Sequence, residues 1–248
     1  MSARTTVLAL ALLLPALPAA AQQEDTYRHG YLRTVEPGVT LQRASEAAAE
    51  TAVPNLPFLP GDRVWTDDSG RMEVRFADGS VLRLDSRSKL DYVAHEGGRR
   101  DERIVLRLWS GAVFLHYRDG RRSPDIAIET PEGVLEPADR GVYRLDVQPG
   151  QVRALAFAGE ATVEAGRRVR VAEGEQVIVR EGEIESGPER MDSYEADDAF
   201  ARWDADLERQ LAYADAREEW LPEEVSPYAA DFATYGTWHS EPEYGYVW

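Results

Sequence analysis

The chain has 248 residues, a formal charge of -17 and no cysteine, and 43% of its residues are hydrophobic. That is the composition of a soluble globular protein with room for one large domain or two small ones. The acidic balance repels phosphate backbones and anionic headgroups, which argues against nucleic acid as a partner, and the missing cysteines exclude disulfides, thiol chemistry and lipid attachment at a lipoprotein cysteine.

The amino terminus reads as a secretory signal over residues 1–21: Arg4, an apolar run from Val7 to Leu17, then Ala19-Ala20-Ala21 before Gln22. The run is shorter than the ~20 residues that cross a bilayer, so cleavage and export without membrane insertion are expected, to the periplasm or beyond. Residues 22–60 are expected to hold a polar leader, a first strand from Tyr31 to Val39, and a long Ala- and Pro-rich loop from Ser45 to Pro60.

From Gly61 a period of two sets in. Met72, Val74 and Phe76 alternate with Glu73 and Arg75, and the alternation resumes at Leu82 and Leu84 after Asp78-Gly79, a strong hairpin signal. Short half-buried strands follow at Ile104–Leu108, Val113–Leu115, Ile126–Ile128 and Tyr143–Val147, with a turn expected at Ser110-Gly111. Glycines recur at 111, 120, 133, 141, 150, 159, 166, 174 and 182, as in a chain that reverses after every short strand. The expected fold is therefore mainly β, an antiparallel sandwich or roll over residues 61–187, with Phe76, Leu84, Leu106, Leu115 and Tyr143 sharing one core.

Over residues 188–221 the period changes to that of a helix, expected from about Asp192 to about Glu219, with Phe200, Trp203, Leu207 and Leu211 on one face and Asp192 with Glu195 as a capping pair. Packing explains that stripe better than a ligand platform. Residues 222–248 form an irregular aromatic tail, too ring-rich for a flexible end and too short to bury its own rings. Tyr235, Trp238, Tyr244, Tyr246 and Trp248 are the candidate contact residues.

The phrases LPGDRVWTDDSGRMEVRFADGSVLRLD, LRLWSGAVF, IETPEGV, ADRGVYRLDV with LAFAGEATV, and VAEGEQVIV stand in that order between Gly61 and Val179. In this order they resemble the periplasmic domain of FecR-type proteins. The family's threonine-proline-glycine turn appears as Thr130-Pro131-Glu132-Gly133, while Arg140-Gly141-Val142 replaces its glycine-threonine pair. The resemblance implies an envelope-facing reader domain, here preceded by a signal where the family has its anti-sigma segment and membrane anchor. From Leu221 onward the chain resembles the start of a secreted Tyr- and Trp-rich domain of unknown function.

No catalytic residue, metal site or cofactor is expected. The four histidines have no partner histidine three or four residues away, and Asp67-Asp68 lacks the spacing of a calcium loop and reads as a turn. No Gly-x-Ser-x-Gly and no phosphate loop is present. Lys89 is the only lysine, and the preponderance of arginine reads mainly as coding bias. The expected function is an exported, non-enzymatic binding module that engages an envelope protein. A glycan or peptidoglycan binder is the alternative.

Overall fold

The computed structural model describes residues 29–97, 101–118, 123–192, 197–215, 236 and 239–248. The signal reading, the leader and the proposed Asp192–Glu195 cap fall wholly or partly outside them. The chain opens with β1 (Gly30–Val35), β2 (Val39–Gln42), β3 (Ala49–Thr51), β4 (Pro57–Phe58), β5 (Arg63–Thr66), β6 (Met72–Arg75), β7 (Val81–Leu84) and β8 (Lys89–Glu96). It continues with β9 (Arg103–Tyr117), β10 (Asp125–Glu129), β11 (Val134–Pro137), β12 (Gly141–Gln148) and β13 (Gln151–Ala158). Next come β14 (Ala161–Ala165), β15 (Arg167–Val171), β16 (Glu175–Arg180) and β17 (Glu183–Arg190), then helix α1 (Ala199–Asp215) and the small hairpin β18 (His239–Glu241) and β19 (Gly245–Val247).

Strands β1 to β17 hydrogen-bond into one continuous sheet that folds over on itself. One layer runs β4-β1-β6-β7-β9-β12-β13-β16-β17, the other β3-β2-β5-β8-β9-β10-β11-β14-β15. The inward side chains of both layers form a single buried cluster that includes Phe76, Leu84, Leu106, Leu115 and Tyr143, so the five expected core residues do share one core. Tyr92 joins the layers, with its ring 5.2 Å from that of Phe58 and 6.5 Å from that of Phe76. The expected Asp-Gly hairpin forms between β6 and β7, where Gly79 takes φ +85 and Asp78 Oδ1 accepts from the Ser80 amide at 3.0 Å.

Strand β9 belongs to both layers, and it departs from the sequence expectation. Instead of two strands separated by a turn at Ser110-Gly111, the chain makes one 15-residue strand that bends there. Up to the bend Ile104, Leu106 and Leu108 face the core; beyond it Val113, Leu115 and Tyr117 do, so the inward phase shifts by one residue. Gly111 sits at φ +86, and a Cβ there would lie 1.9 Å from Ser88 Oγ and 2.6 Å from Ser88 Cα, so only glycine fits. The chain leaves β9 in one layer and re-enters the other beside Arg103, which makes β10 parallel to β9 where antiparallel neighbours were expected throughout.

Other differences are local. The expected first strand is split by a reversal at Gly38 (φ +95), so that β1 pairs with β6 and β2 with β5. The expected loop from Ser45 to Pro60 contributes β3 and β4. Helix α1 begins at Ala199, later than expected, and Asp198 caps it by accepting from the Ala201 amide at 2.8 Å. The tail is not wholly irregular, since β18 pairs with β19. Among the described residues no helix is long and apolar enough to cross a membrane.

Candidate interaction surfaces

The two outer faces of the folded sheet differ in what lies over them. On the layer that contains β6, β7 and β12, alternation places Glu73, Arg83, Phe114, His116 and Arg144 outward, yet Glu73 and Arg83 are 0% exposed. Helix α1 covers them. Its buried residues are Phe200, Asp204, Leu207 and Leu211, spaced four, three and four apart, so a carboxylate occupies the middle of the apolar stripe. Phe200 packs 5.0 Å from the Phe114 ring in a small cluster with Ala112, bordered by Val142, Phe157, Ala201 and Trp203.

Charge holds the rest of this joint. Arg83 Nε donates to Glu73 at 2.8 Å, Nη1 to Asp204 at 2.7 Å and Nη2 to Glu208 at 2.7 Å, a use of all three nitrogens that lysine cannot reproduce. His116 Nε2 also lies 2.7 Å from Asp204 Oδ1, and Arg33 reaches Glu73 at 3.1 Å. Arg144 bridges Asp146 (2.7 Å) and Asp198 (2.5 Å), with its guanidinium over the rings of Phe114 and Phe200. Trp203 Nε1 donates to Glu36 at 2.8 Å. Burial acts to lower the Arg83 pKa, and the surrounding carboxylates outweigh it and raise the value.

Asp204 is the reverse case. Burial acts to raise its pKa, but the bonds from His116 and Arg83 prevail and hold it below its ordinary 3.8. A depressed folded-state value means that the ionised group stabilises the docked helix fully above about pH 4, the unfolded carboxylate value, and loses that contribution as pH falls through the depressed value. Because an isolated helix of this length is marginal in water, undocking and unwinding are coupled. Acid titration should therefore show a loss of helical circular dichroism below pH 3.8, and Asp204→Asn should remove most of that step. An unchanged acid profile in the variant would show that Asp204 does not hold the helix.

The outer face of the other layer is partly exposed. Its centre is Trp109, 39% exposed, with Lys89 Nζ 5.6 Å and Arg107 5.4 Å from its ring. Trp109 Nε1 donates to Asp91 at 2.9 Å, and Asp91 also takes Arg63 through two bonds of 2.5 and 2.6 Å. Burial works against the Asp91 charge, but Arg63, Trp109 and Lys89 hold its carboxyl below the usual range. Arg63 lies over Trp65, and Trp65 stands beside Lys89 on the neighbouring strand. Arg107 continues the row to Glu129 at 2.6 Å. Lys89 makes no direct ion pair among the described residues, its charge acting on Asp91 from a distance, so the face presents two indoles around one ammonium.

Of the tail residues picked out from the sequence, Tyr244 is 74% and Trp248 50% exposed, and Tyr246 lies on β19. A Cβ on Gly236 would stand 2.5 Å from the Trp248 indole, so that ring lies close over the Gly236 backbone. Tyr235 and Trp238 lie outside the described residues. Sequence reasoning passed over Trp65 and Trp109, although both occupy the outward phase of strands whose inward phase is apolar.

Among the described residues no three histidine, aspartate or glutamate side chains converge as a metal site. The His29 and His95 rings come within 6.2 Å, but His95 is taken up by Glu102 (2.6 Å) and the Tyr92 hydroxyl (3.2 Å). Asp67 is a turn residue: its Oδ1 accepts from the Ser69 amide, the Ser69 hydroxyl and the Gly70 amide at 2.8, 3.0 and 2.8 Å, and the Ser69 amide bond leads in lowering its pKa.

The domain is a β sheet folded over on itself with a helix on one face. The FecR protein family matches residues 62–185, half of the chain, and the chain belongs to that family. Strands β1 to β4 and helix α1 lie outside the matched segment, yet they complete both layers and cover one of them. Two crystal structures of a candidate anti-sigma factor from Parabacteroides distasonis ATCC 8503 are similar to the chain at 17% and 16% identity, each with a TM-score of 0.44. The similarity covers 54% of this chain and 62% and 63% of those, so less than two thirds of their length is spanned. No curated protein matches the chain.

Proposed function

We propose that the chain is an exported, non-enzymatic interaction module of the bacterial cell envelope, which binds another envelope protein through the open outer face at Trp65, Lys89 and Trp109. The observation that carries this reading is Trp109, 39% exposed in the middle of a sheet face and fixed from both sides by Asp91, Lys89 and Arg107. A tryptophan packed against an arginine is the composition of an interface hot spot. Family membership and the signal-like amino terminus support the envelope location. The unpaired Lys89 favours a partner that brings a carboxylate to this point.

Glycan binding is the competing reading. It draws on the exposed Tyr244 and Trp248 rings, whereas the cations beside Trp109 compete for the ring faces that a sugar would stack on. The two readings separate in a pair of capture assays, one from envelope extracts and one on insoluble envelope glycan. Wild-type protein should retain a protein partner. Trp109→Ala with Lys89→Ala should weaken that capture roughly 30-fold, the loss of about 2 kcal/mol typical of a hot spot, without lowering the thermal midpoint. Glycan retention abolished by removal of residues 239–248, with no protein captured, would replace this reading with the second.

A further inference from the structure

The face beneath α1 is basic in an otherwise acidic protein. Arg33, Arg75, Arg83, Arg144 and Arg153 point outward from this layer against Glu73 and Asp146, and four of these seven side chains are at least nine-tenths buried. The family-matched segment supplies most of the face but only two of the acids that neutralise it, Glu73 and Asp146. The other three lie beyond the matched residues, Asp204 and Glu208 on α1 and Asp198 at its cap. Left uncovered, the face would hold two arginines with fewer carboxylates than they now bind, beside the ring of Phe114.

The fit of α1 is also incomplete. At its amino-terminal end a groove of about 510 Å³ remains, lined by Arg144, Arg153, Gln151, Gln176 and Asp198 among others. Gln176 Oε1 and Arg144 Nη1 there are buried without a hydrogen-bond partner, although Gln176 is 8% and Arg144 4% exposed. Burying such groups unpaired carries a cost of roughly 1–3 kcal/mol each. An acidic segment continuing the line of α1 beyond Asp198 would bring a carboxylate to the Arg144 donor and a backbone amide to the Gln176 oxygen.

We infer that the outer face built by β6, β7, β9, β12 and β13 is a docking site for an acidic amphipathic helix of a partner protein, and that α1 is a tethered occupant which the partner displaces. The recognised pattern is the one α1 carries: an apolar residue, then a carboxylate four positions on, then apolar residues three and seven positions after that. The carboxylate enters the Arg83 and His116 site while the apolar residues meet Phe114 and its neighbours. Tethering gives α1 an effective concentration in the millimolar range, so a free helix at micromolar concentration competes poorly until α1 is weakened. This site is separate from Trp109 and Lys89, and neither its success nor its failure bears on the open face.

The test uses the full chain and a fluorescein-labelled peptide of residues 197–215. Two variants loosen α1: Asp198→Asn, which keeps a capping side chain but removes the Arg144 pair, and the double change Asp204→Asn with Glu208→Gln. Both should bind the peptide at least tenfold more tightly than the wild-type chain does, and a peptide with Asp198, Asp204 and Glu208 made Asn, Asn and Gln should not bind. Circular dichroism melting checks that the β layers stay folded; if the double variant unfolds, Asp198→Asn decides the matter. Equal affinity for folded variant and wild type, or equal binding of the neutral peptide, would overturn the inference. Wild-type dimers that exchange α1 between copies would overturn it too, by making a second copy the occupant.

Discussion

Arg83→Met is expected to cost about 3–5 kcal/mol of stability, the usual consequence of removing one member of a buried ion network. The methionine fills most of the volume, so the loss is electrostatic. Glu73 is 0% exposed and keeps Arg33 at 3.1 Å, while Asp204 keeps His116 and Glu208 is left near the same ring at 3.8 Å. Urea denaturation followed by helical signal should show the larger shift, because Asp204 and Glu208 belong to α1. A compensated variant, Arg83→Met with Glu73→Gln and Asp204→Leu, should recover much of the lost stability, since an apolar replacement of a whole buried network is often near neutral. If the single change left the midpoint where it is in the wild type, the network would not be holding the helix.

The second large effect lies in the main core. Phe76→Ala should cost about 3–5 kcal/mol and Leu106→Ala about 2–5 kcal/mol, because each deletion leaves a cavity that a sheet clamped on both sides cannot collapse into. Phe76 is 1% exposed, edge-on to Tyr92, and its ring would meet a Cβ on Gly30 at 3.2 Å; Leu106 is 0% exposed on the opposite layer. One residue from each layer makes the test specific to the interlayer packing. Should both substitutions leave the urea midpoint unmoved, the inward phases of β9 and of the β6–β7 hairpin would have been assigned to the wrong faces.

Period-two alternation was enough to place the β6–β7 hairpin and the inward residues, because each strand carries one apolar face whatever its neighbours are. It was not enough to show the path of β9. A glycine after Ser110 has the same appearance whether the chain reverses or bends, and the difference lies in Ser88, 23 residues before Gly111 in sequence, whose side chain occupies the space beside it. The parallel pairing of β10 with β9 follows from that bend and was equally hidden. One sign was available: the apolar phase shifts from even to odd numbers between Leu108 and Val113, as a bend within one strand requires.

The candidate site was less legible. Alternation marks Glu73 and Arg83 as solvent-facing, which fails here because α1 covers the face from more than a hundred residues away in sequence. Asp204 could have been noticed, since it falls in phase with Phe200, Leu207 and Leu211, but a lone acid in an apolar stripe has no meaning until Arg83 is known to lie opposite. The arginine excess, read as coding bias, includes Arg83 and Arg144, whose branched guanidinium groups each join several carboxylates in ways lysine cannot. For the open face the difficulty was competition: the dense aromatic tail drew attention away from Trp65 and Trp109, which are isolated in sequence and become neighbours of Lys89 only when β5, β8 and β9 pair.

The central claim is that the open face, and not the tail hairpin, is where an envelope protein binds. Hydroxyl-radical footprinting of the free chain against the chain saturated with its captured envelope partner tests this directly, since tryptophan and tyrosine are among the most reactive side chains and each surface carries its own. The account predicts strong protection of Trp65 and Trp109 on binding, with Tyr244 and Trp248 oxidised as in the free chain. Protection confined to Tyr244 and Trp248, with Trp109 as reactive in the complex as alone, would contradict it.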